Sequence, residues 1–137
     1  MPDQSINPPK ILVVDDHEDN RSLIKFLLES KGYFALEAAN GLEAIALARD
    51  ARPRLIFMDR NLPVLDGITA TRSIRADKEL CDISIVILSG HVSSQDKAMA
   101  FAAGCDDYIT KPIDFTEFYA LLERLLPAHS NATSTSV

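Results

Sequence analysis

Short apolar runs alternate with segments of helical periodicity along most of this chain. The runs at 11–14 and 55–58 are too short for helices and are typical of strands buried on both faces. Between such runs, apolar residues recur at helical spacing, which predicts helices. The predicted strands cover 10–14, 33–38, 54–58, 83–88 and 106–109, and the predicted helices cover 17–31, 41–50, 65–76, 92–103 and 113–126.

This alternation gives five strand–helix units and predicts an α/β protein. Repeated units of this kind require right-handed crossovers, and hence a doubly wound, five-stranded parallel sheet with five helices on two faces. We expect the strand order 2-1-3-4-5 of flavodoxin-like sheets, which bind ligands at the carboxyl ends of the strands, beside the switch point between strands 1 and 3.

Local signals agree with these boundaries. Gly32 and Gly104 fall where helix C-caps are expected, and Gly41 opens the second predicted helix. Asp16 and Asp114 are expected to be N-caps or first-turn acids of their helices.

The length of 137 residues predicts one domain at 10–126. We expect 1–9, with its prolines, and the Ser/Thr-rich segment 127–137 to be flexible. No run approaches the roughly 18 apolar residues of a membrane span, and no signal peptide is visible, so we expect a cytoplasmic protein with no membrane contact.

The charge and cysteine content exclude other classes. The formal net charge of −6 argues against nucleic-acid binding through this domain, because backbone binding needs clustered Lys and Arg. Cys81 and Cys105 lack the spacing of a metal site, so we expect free thiols.

Charged residues follow three of the predicted strands. Asp15 and Asp16 end the first, Asp59 ends the third, and Lys111 follows the fifth. Three converging carboxylates repel at roughly 4 kcal/mol per pair at an effective dielectric constant near 20, so they need a cation nearby. Because the donors are oxygens, the sequence predicts Mg²⁺ or Mn²⁺.

A carboxylate beside a metal ion and a lysine can attack phosphorus and form an aspartyl phosphate. Asp59 is the candidate nucleophile, and Lys111 would stabilise charge on the phosphoryl oxygens. Ser89, at the end of the fourth strand, could donate a hydrogen bond to one of those oxygens, and the adjacent Gly90 leaves room for a donor.

The chain resembles response-regulator receiver domains of two-component signalling, similar to chemotaxis regulators, from about residue 10 to 126. The resemblance rests on Asp15-Asp16, the 58–67 stretch Met-Asp-Arg-Asn-Leu-Pro-Val-Leu-Asp-Gly, Ser89-Gly90 and the 108–112 stretch Tyr-Ile-Thr-Lys-Pro. It implies that Asp59 accepts a phosphoryl group from a histidine kinase or a histidine phosphotransfer protein in a Mg²⁺-dependent reaction. The chain would then be a signalling domain and not an enzyme.

The resemblance also assigns roles to single residues. Asp16, Asp59 and the backbone carbonyl of Asn61 would bind the metal ion directly, and Asp15 would act largely through water. The Lys111–Pro112 peptide is expected to be cis, which directs the lysine into the site.

The remaining site residues are predicted to switch the binding face or to control the access of water to the phosphoryl group. Ser89 and Tyr108 would form a switch pair that changes the face made by helix 4, strand 5 and helix 5, where a protein target or a second copy binds. Gly90 stands where Ala is frequent and could loosen the loop that carries Ser89. We predict that Arg60, Asn61, Gly90 and His91 tune the access of the water that removes the phosphoryl group.

Two surfaces are candidate contacts. Phe26 falls outside the predicted apolar stripe of helix 1, which comprises Leu23, Ile24, Leu27 and Leu28. It is therefore a candidate docking contact for a kinase or phosphotransfer protein. Helix 5 carries more apolar residues than one sheet face requires, and we predict that its surplus binds a partner or a second copy; the residues are Phe115, Phe118, Tyr119, Leu121, Leu122, Leu125 and Leu126.

Alternative functions stay open. A stand-alone receiver is favoured over a receiver from a hybrid histidine kinase or a larger regulator. A haloacid-dehalogenase-type phosphatase also uses a strand-end aspartate but needs a second acid two residues later, where this chain has Asn61. A flavodoxin is disfavoured because the acidic loop after the first strand would repel the FMN phosphate.

Overall fold

The computed structural model describes residues 8–90 and 93–126. Its strands are β1 (Lys10–Val14), β2 (Phe34–Ala38), β3 (Leu55–Asp59), β4 (Ser84–Ser89) and β5 (Asp107–Thr110). Its helices are α1 (Glu18–Glu29), α2 (Gly41–Ala51), α3 (Gly67–Ala76), α4 (Ser94–Ala103) and α5 (Phe115–Leu125). The predicted alternation of strands and helices is therefore confirmed.

The five strands form one parallel sheet in the order β2-β1-β3-β4-β5, as predicted. Met58 pairs with Val14 on one side and Ile87 on the other, and Ser89 pairs with Thr110. This register brings the carboxyl ends of the strands to one edge, with the switch point between β1 and β3.

Apolar side chains alternate along each central strand and build a core on both faces of the sheet. In β1, Leu12 and Val14 pack with residues of α2, α3 and α4, whereas Ile11 and Val13 pack with residues of α1 and α5. The sheet is thus covered on both faces, which fixes the strand ends rigidly.

The start of α1 differs from the prediction. Asp16 is neither the N-cap nor a first-turn acid; His17 is the N-cap, and Glu18 and Asp19 lie in the first turn. The reason is local: Asp15 Oδ1 accepts a hydrogen bond from the backbone N–H of His17 at 2.9 Å. The side chain that forms the turn before α1 is therefore that of Asp15 and not that of Asp16. Asp114 is the N-cap of α5 as predicted, and its side chain accepts a hydrogen bond from the N–H of Glu117 at 3.1 Å.

Of the two C-cap predictions, that for Gly104 is confirmed and that for Gly32 is wrong. Gly104 ends α4 with a φ of 112°, as predicted. Gly32 also has a positive φ, but α1 already ends at Glu29 and its C-cap is Ser30.

The predicted apolar stripes of α1 and α5 are too wide. On α1, Leu23 is 44% exposed at the edge of the stripe, and Phe26 is exposed as expected. On α5, Phe115 is exposed, whereas Phe118, Leu121 and Leu122 are buried and Lys31 of the α1–β2 turn covers the Tyr119 ring at 4.6 Å. The surplus apolar face of α5 is therefore narrower than the sequence suggested.

Within the described ranges, every helix is too short or too polar to cross a lipid bilayer. Cys81 and Cys105 are free thiols, as expected.

Candidate functional site: an acidic cluster at the carboxyl edge of the sheet

Two buried aspartates share one lysine at the carboxyl edge of the sheet. Nζ of Lys111 lies 3.2 Å from Asp15 Oδ2 and 3.1 Å from Asp59 Oδ2. The Asp15 side chain is fully buried and that of Asp59 is 7% exposed. Residues distant in the sequence thus converge at the switch point between β1 and β3, as the strand ends predicted.

The backbone around this cluster is fixed by close packing. The N–H of Lys111 donates to the carbonyl of Ser89 at 2.8 Å, and the Lys111–Pro112 peptide is cis, as the resemblance implied. After Asp59, the chain turns so tightly that a Cβ on Gly67 would lie 2.2 Å from the Asp59 carbonyl oxygen. Only glycine allows α3 to begin this close to the end of β3.

Asp16 lies beside this pair but faces more solvent. Its Oδ1 is 3.1 Å from Nδ1 of His17, which also approaches Asp15 Oδ1 at 3.5 Å. The donor atoms of Asp15, Asp16 and His17 all lie within 4.8 Å of one another, a spacing that fits a single metal ion. The two carboxylates suit Mg²⁺ or Mn²⁺. From the sequence, His17 was not expected to be a metal ligand.

Burial and neighbouring charges shift the ionisation of this pair. Burial is the main cause that raises the pKa of Asp59, and the Asp15 carboxylate adds to it, whereas Lys111 opposes the shift. Burial also acts to lower the pKa of Lys111, but the Asp59 and Asp15 carboxylates outweigh it, so that pKa is raised. Lys111 therefore stays charged, and the site favours a further cation beside Asp59.

Ser89 and Tyr108 lie on neighbouring strands near this cluster. Ser89 is fully buried at the end of β4, and the Tyr108 ring is also buried. Nζ of Lys97, on α4, lies 5.8 Å from the centroid of that ring. The proposed switch pair is thus placed between the acidic cluster and α4.

The residues predicted to tune the access of water to the phosphoryl group lie in different surroundings. Gly90 is exposed, and a Cβ there would meet no atom of the described residues within 4 Å. Asn61 is exposed, and its backbone N–H lies 3.4 Å from Asp59 Oδ1. The Arg60 side chain instead reaches Asp96 on α4. His91 lies outside the residues that the structure describes.

Arg21 supports the acidic loop and was missed by the sequence analysis. Its Nη1 donates to the backbone carbonyl of Asp15 at 2.7 Å, and its Nε donates to Oε1 of Glu37, on β2, at 3.1 Å. Lys25 also reaches Glu37, at 3.3 Å. The spacing of Arg21 from Asp15 is ordinary for a solvated helix residue, so the sequence gives no signal for this contact.

Arg21→Gln is expected to weaken Mg²⁺ binding about three- to tenfold, because the Asp15 carbonyl loses its charged donor and the acidic loop gains freedom. Calorimetric titration with Mg²⁺ measures this, and Lys25→Gln is the matched control because it contacts Glu37 but not the Asp15 backbone. Equal affinities for wild type and Arg21→Gln would contradict the assignment.

The fold and site together define the class: a flavodoxin-like parallel sheet with an acidic site at its switch point. The chain belongs to the response regulator receiver domain family, whose family model matches residues 11–123. It is thus a signalling domain of two-component systems.

Curated relatives include both short and longer proteins. The polar-differentiation response regulator DivK of Brucella anthropi is 35% identical over 119 residues, which are 87% of this chain and 97% of DivK. The DNA-binding dual master transcriptional regulator RpaA of Synechocystis sp. is 38% identical over 118 residues, 86% of this chain. The chain spans about half (49%) of the length of RpaA.

Solved structures agree with the fold. The Vibrio cholerae chemotaxis protein CheY4 matches with a TM-score of 0.82 at 30% identity, covering 87% of this chain and 99% of that one. The receiver domain of the Pseudomonas aeruginosa sensor histidine kinase PA1611 matches with a TM-score of 0.80 at 36% identity, covering 86% and 97%. That domain has a magnesium ion coordinated in its active-site cleft.

Proposed function

We propose that this chain is a phospho-accepting receiver in which Asp59 takes a phosphoryl group from a phosphohistidine of a histidine kinase or a phosphotransfer protein. The observation that carries the proposal is the shared contact of Lys111 with Asp15 and Asp59. This contact puts a fixed positive charge where the phosphoryl oxygens arrive. We place this activity in the cytoplasm, as the sequence suggested.

The transfer is one displacement at phosphorus. A carboxylate oxygen of Asp59 forms the new P–O bond, the P–N bond of the phosphohistidine breaks, and its electron pair stays on the imidazole nitrogen. The Lys111 ammonium neutralises charge on the phosphoryl oxygens, and the Ser89 hydroxyl donates to one of them. Mg²⁺, held by Asp16, Asp59 and the Asn61 carbonyl with Asp15 acting through water, would supply further positive charge when bound.

The consequences of transfer follow the same assignment. Ser89 moves toward the phosphoryl group and Tyr108 follows, which changes the face formed by α4, β5 and α5 for a protein target. Arg60, Asn61, Gly90 and His91 tune hydrolysis of the acyl phosphate through water access.

Intact mass after incubation with acetyl phosphate tests this function. One added phosphoryl group is expected with Mg²⁺ and none when EDTA replaces it. A gain that persists in EDTA, or no gain under either condition, would contradict the proposal.

An apolar groove beside the site supports an approach route for the phosphoryl donor. Its volume is about 360 Å³, and it lies between α1 and the β5–α5 loop; its lining residues are Asp15, Asn20, Leu23, Ile24, Lys111, Pro112 and Ile113. Phe26, on α1, is 67% exposed. A donor protein that packs on this surface would bring its phosphohistidine to Lys111 and Asp59.

Phe26→Ala is expected to slow phosphoryl transfer from a phosphotransfer protein about tenfold, since an exposed aromatic anchor carries a large share of binding energy. Acetyl phosphate is the matched control, because a small donor needs no docking surface and should react at the wild-type rate. Equal slowing with both donors would show a general defect and remove the docking role.

We further propose that the receiver acts as a stand-alone protein, and coverage of nearly the whole of DivK supports this. The alternative is a receiver within a hybrid kinase or a larger regulator, which the likeness to the PA1611 receiver and to RpaA supports. The coding sequence on either side of this segment in its gene distinguishes the two.

A further inference from the structure

The residue after Asp59 connects the site to helix α4. Nη2 of Arg60 lies 3.1 Å from Oδ1 of Asp96, in the first turn of α4, and the two side chains are only 20% and 22% exposed. Salt screens such a sheltered pair less than a surface pair. The contact therefore ties the start of α4 to the loop that follows Asp59.

The backbone of Arg60 is held on both sides. Its N–H donates to the Leu88 carbonyl at 2.8 Å, and its carbonyl accepts from the Gly67 N–H at 2.9 Å. Among the described residues, Nε of Arg60 is buried without a hydrogen-bond partner. Asp96 thus satisfies only part of the guanidinium and leaves the buried Nε without an acceptor, a cost that a shift of the side chain toward another anion would relieve.

We propose that Arg60 is a positioning residue that transmits the charge on Asp59 to α4. Resting on the proposed function, the phosphoryl group adds about one negative charge to the residue that precedes Arg60 and attracts the Arg60 guanidinium away from Asp96. Helix α4 stays folded after this release, because the Ser93 side chain still accepts from the Asp96 N–H at 3.0 Å and the Asp96 carboxylate still complements the helix dipole. The helix gains freedom at its first turn.

Hydrogen exchange of the full chain without a phosphoryl donor tests the tether. In Arg60→Gln and in Asp96→Asn, the amides from Lys97 to Ala100 are expected to exchange about three- to tenfold faster than in wild type. The double variant should exchange no faster than either single variant, because both remove the same pair. Arg60→Lys keeps the charge and should restore much of the protection. Arg72→Gln is the matched control, since Arg72 is exposed in the cleft that Arg60 also lines, and it should match wild type.

The same amides are then followed with acetyl phosphate and Mg²⁺, while intact mass records phosphorylation. Phosphorylated wild type should reach at least the exchange rates of Arg60→Gln, and phosphorylation should raise the rates less in Arg60→Gln than in wild type. The inference is overturned if Arg60→Gln exchanges like wild type, or if both proteins respond equally to phosphorylation. Failure of the proposed function would instead appear as no gain in the mass of wild type. That result would contradict phosphorylation as the signal that releases Asp96.

Discussion

Asp59→Asn is expected to abolish phosphoryl uptake, because the amide lacks the nucleophilic carboxylate oxygen. Intact mass after incubation with acetyl phosphate and Mg²⁺ should show no added phosphoryl group. Asp50→Asn removes an exposed carboxylate on α2 and is the matched control, which should be phosphorylated like wild type. Stoichiometric phosphorylation of Asp59→Asn would contradict the assignment of the acceptor.

The same substitution should stabilise the metal-free protein. Burial, together with the Asp15 carboxylate, raises the pKa of Asp59, so its ionised form is disfavoured in the folded state. Stability of wild type is therefore lost as pH rises through the folded-state pKa. In EDTA at neutral pH, we expect Asp59→Asn to have a higher free energy of unfolding than wild type, an advantage that vanishes below the unfolded-state pKa of about 3.9.

Urea unfolding at several pH values, with EDTA and then with Mg²⁺, measures this effect. The advantage should shrink or reverse with Mg²⁺, which stabilises wild type by binding the ionised carboxylate. An Asp59→Asn protein that is less stable than wild type in EDTA would show that the Lys111 contact outweighs burial and repulsion.

Lys111→Met is expected to slow phosphorylation by acetyl phosphate about 100- to 1000-fold, because one preorganised charge on the phosphoryl oxygens is lost. Stopped-flow or time-resolved mass measurements at saturating Mg²⁺ follow the rate. Lys78→Met removes an exposed lysine far from the site and should react at the wild-type rate. A Lys111→Met rate within a few-fold of wild type would exclude Lys111 from the chemistry.

Lys111 also has a structural effect. Without its ammonium, the Asp15 and Asp59 carboxylates lose their shared partner, and we expect the metal-free variant to be less stable by roughly 1–3 kcal/mol. Bound Mg²⁺ replaces part of the lost charge, so the deficit should narrow when Mg²⁺ is added. This separates the structural effect of the substitution from its chemical effect.

Much of the site could be predicted because its charged residues directly follow apolar runs that form strands. An apolar run that ends in a charge, as at Asp15, Asp59 and Lys111, places that charge at one edge of a parallel sheet whatever the intervening residues are. The two-sided core follows from the same alternation, whereas the strand order was expected from the likeness to flavodoxin-like sheets. The strand ends and the core depend on the periodicity of single elements, and the sequence shows that periodicity directly.

The contacts that escaped prediction are made by long arginine side chains. Arg21 contacts the Asp15 carbonyl and Glu37, and Arg60 reaches Asp96, but neither arginine occupies a position that periodicity distinguishes from a solvated one. The prediction of Asp16 as an N-cap or first-turn acid was wrong for a local reason, since the side chain of Asp15 accepts from the N–H of His17 just before α1. The partner of a long side chain depends on how the helices pack, and the periodicity of one element does not reveal that packing.

The most direct test of the account is the position of the phosphoryl group in the full-length chain. After incubation with acetyl phosphate and Mg²⁺, reduction of the acyl phosphate with borohydride followed by peptide mass mapping identifies the modified residue. The account predicts one modified residue, Asp59. Modification at Asp15 or Asp16 instead, or no acyl phosphate anywhere in the chain, would contradict it.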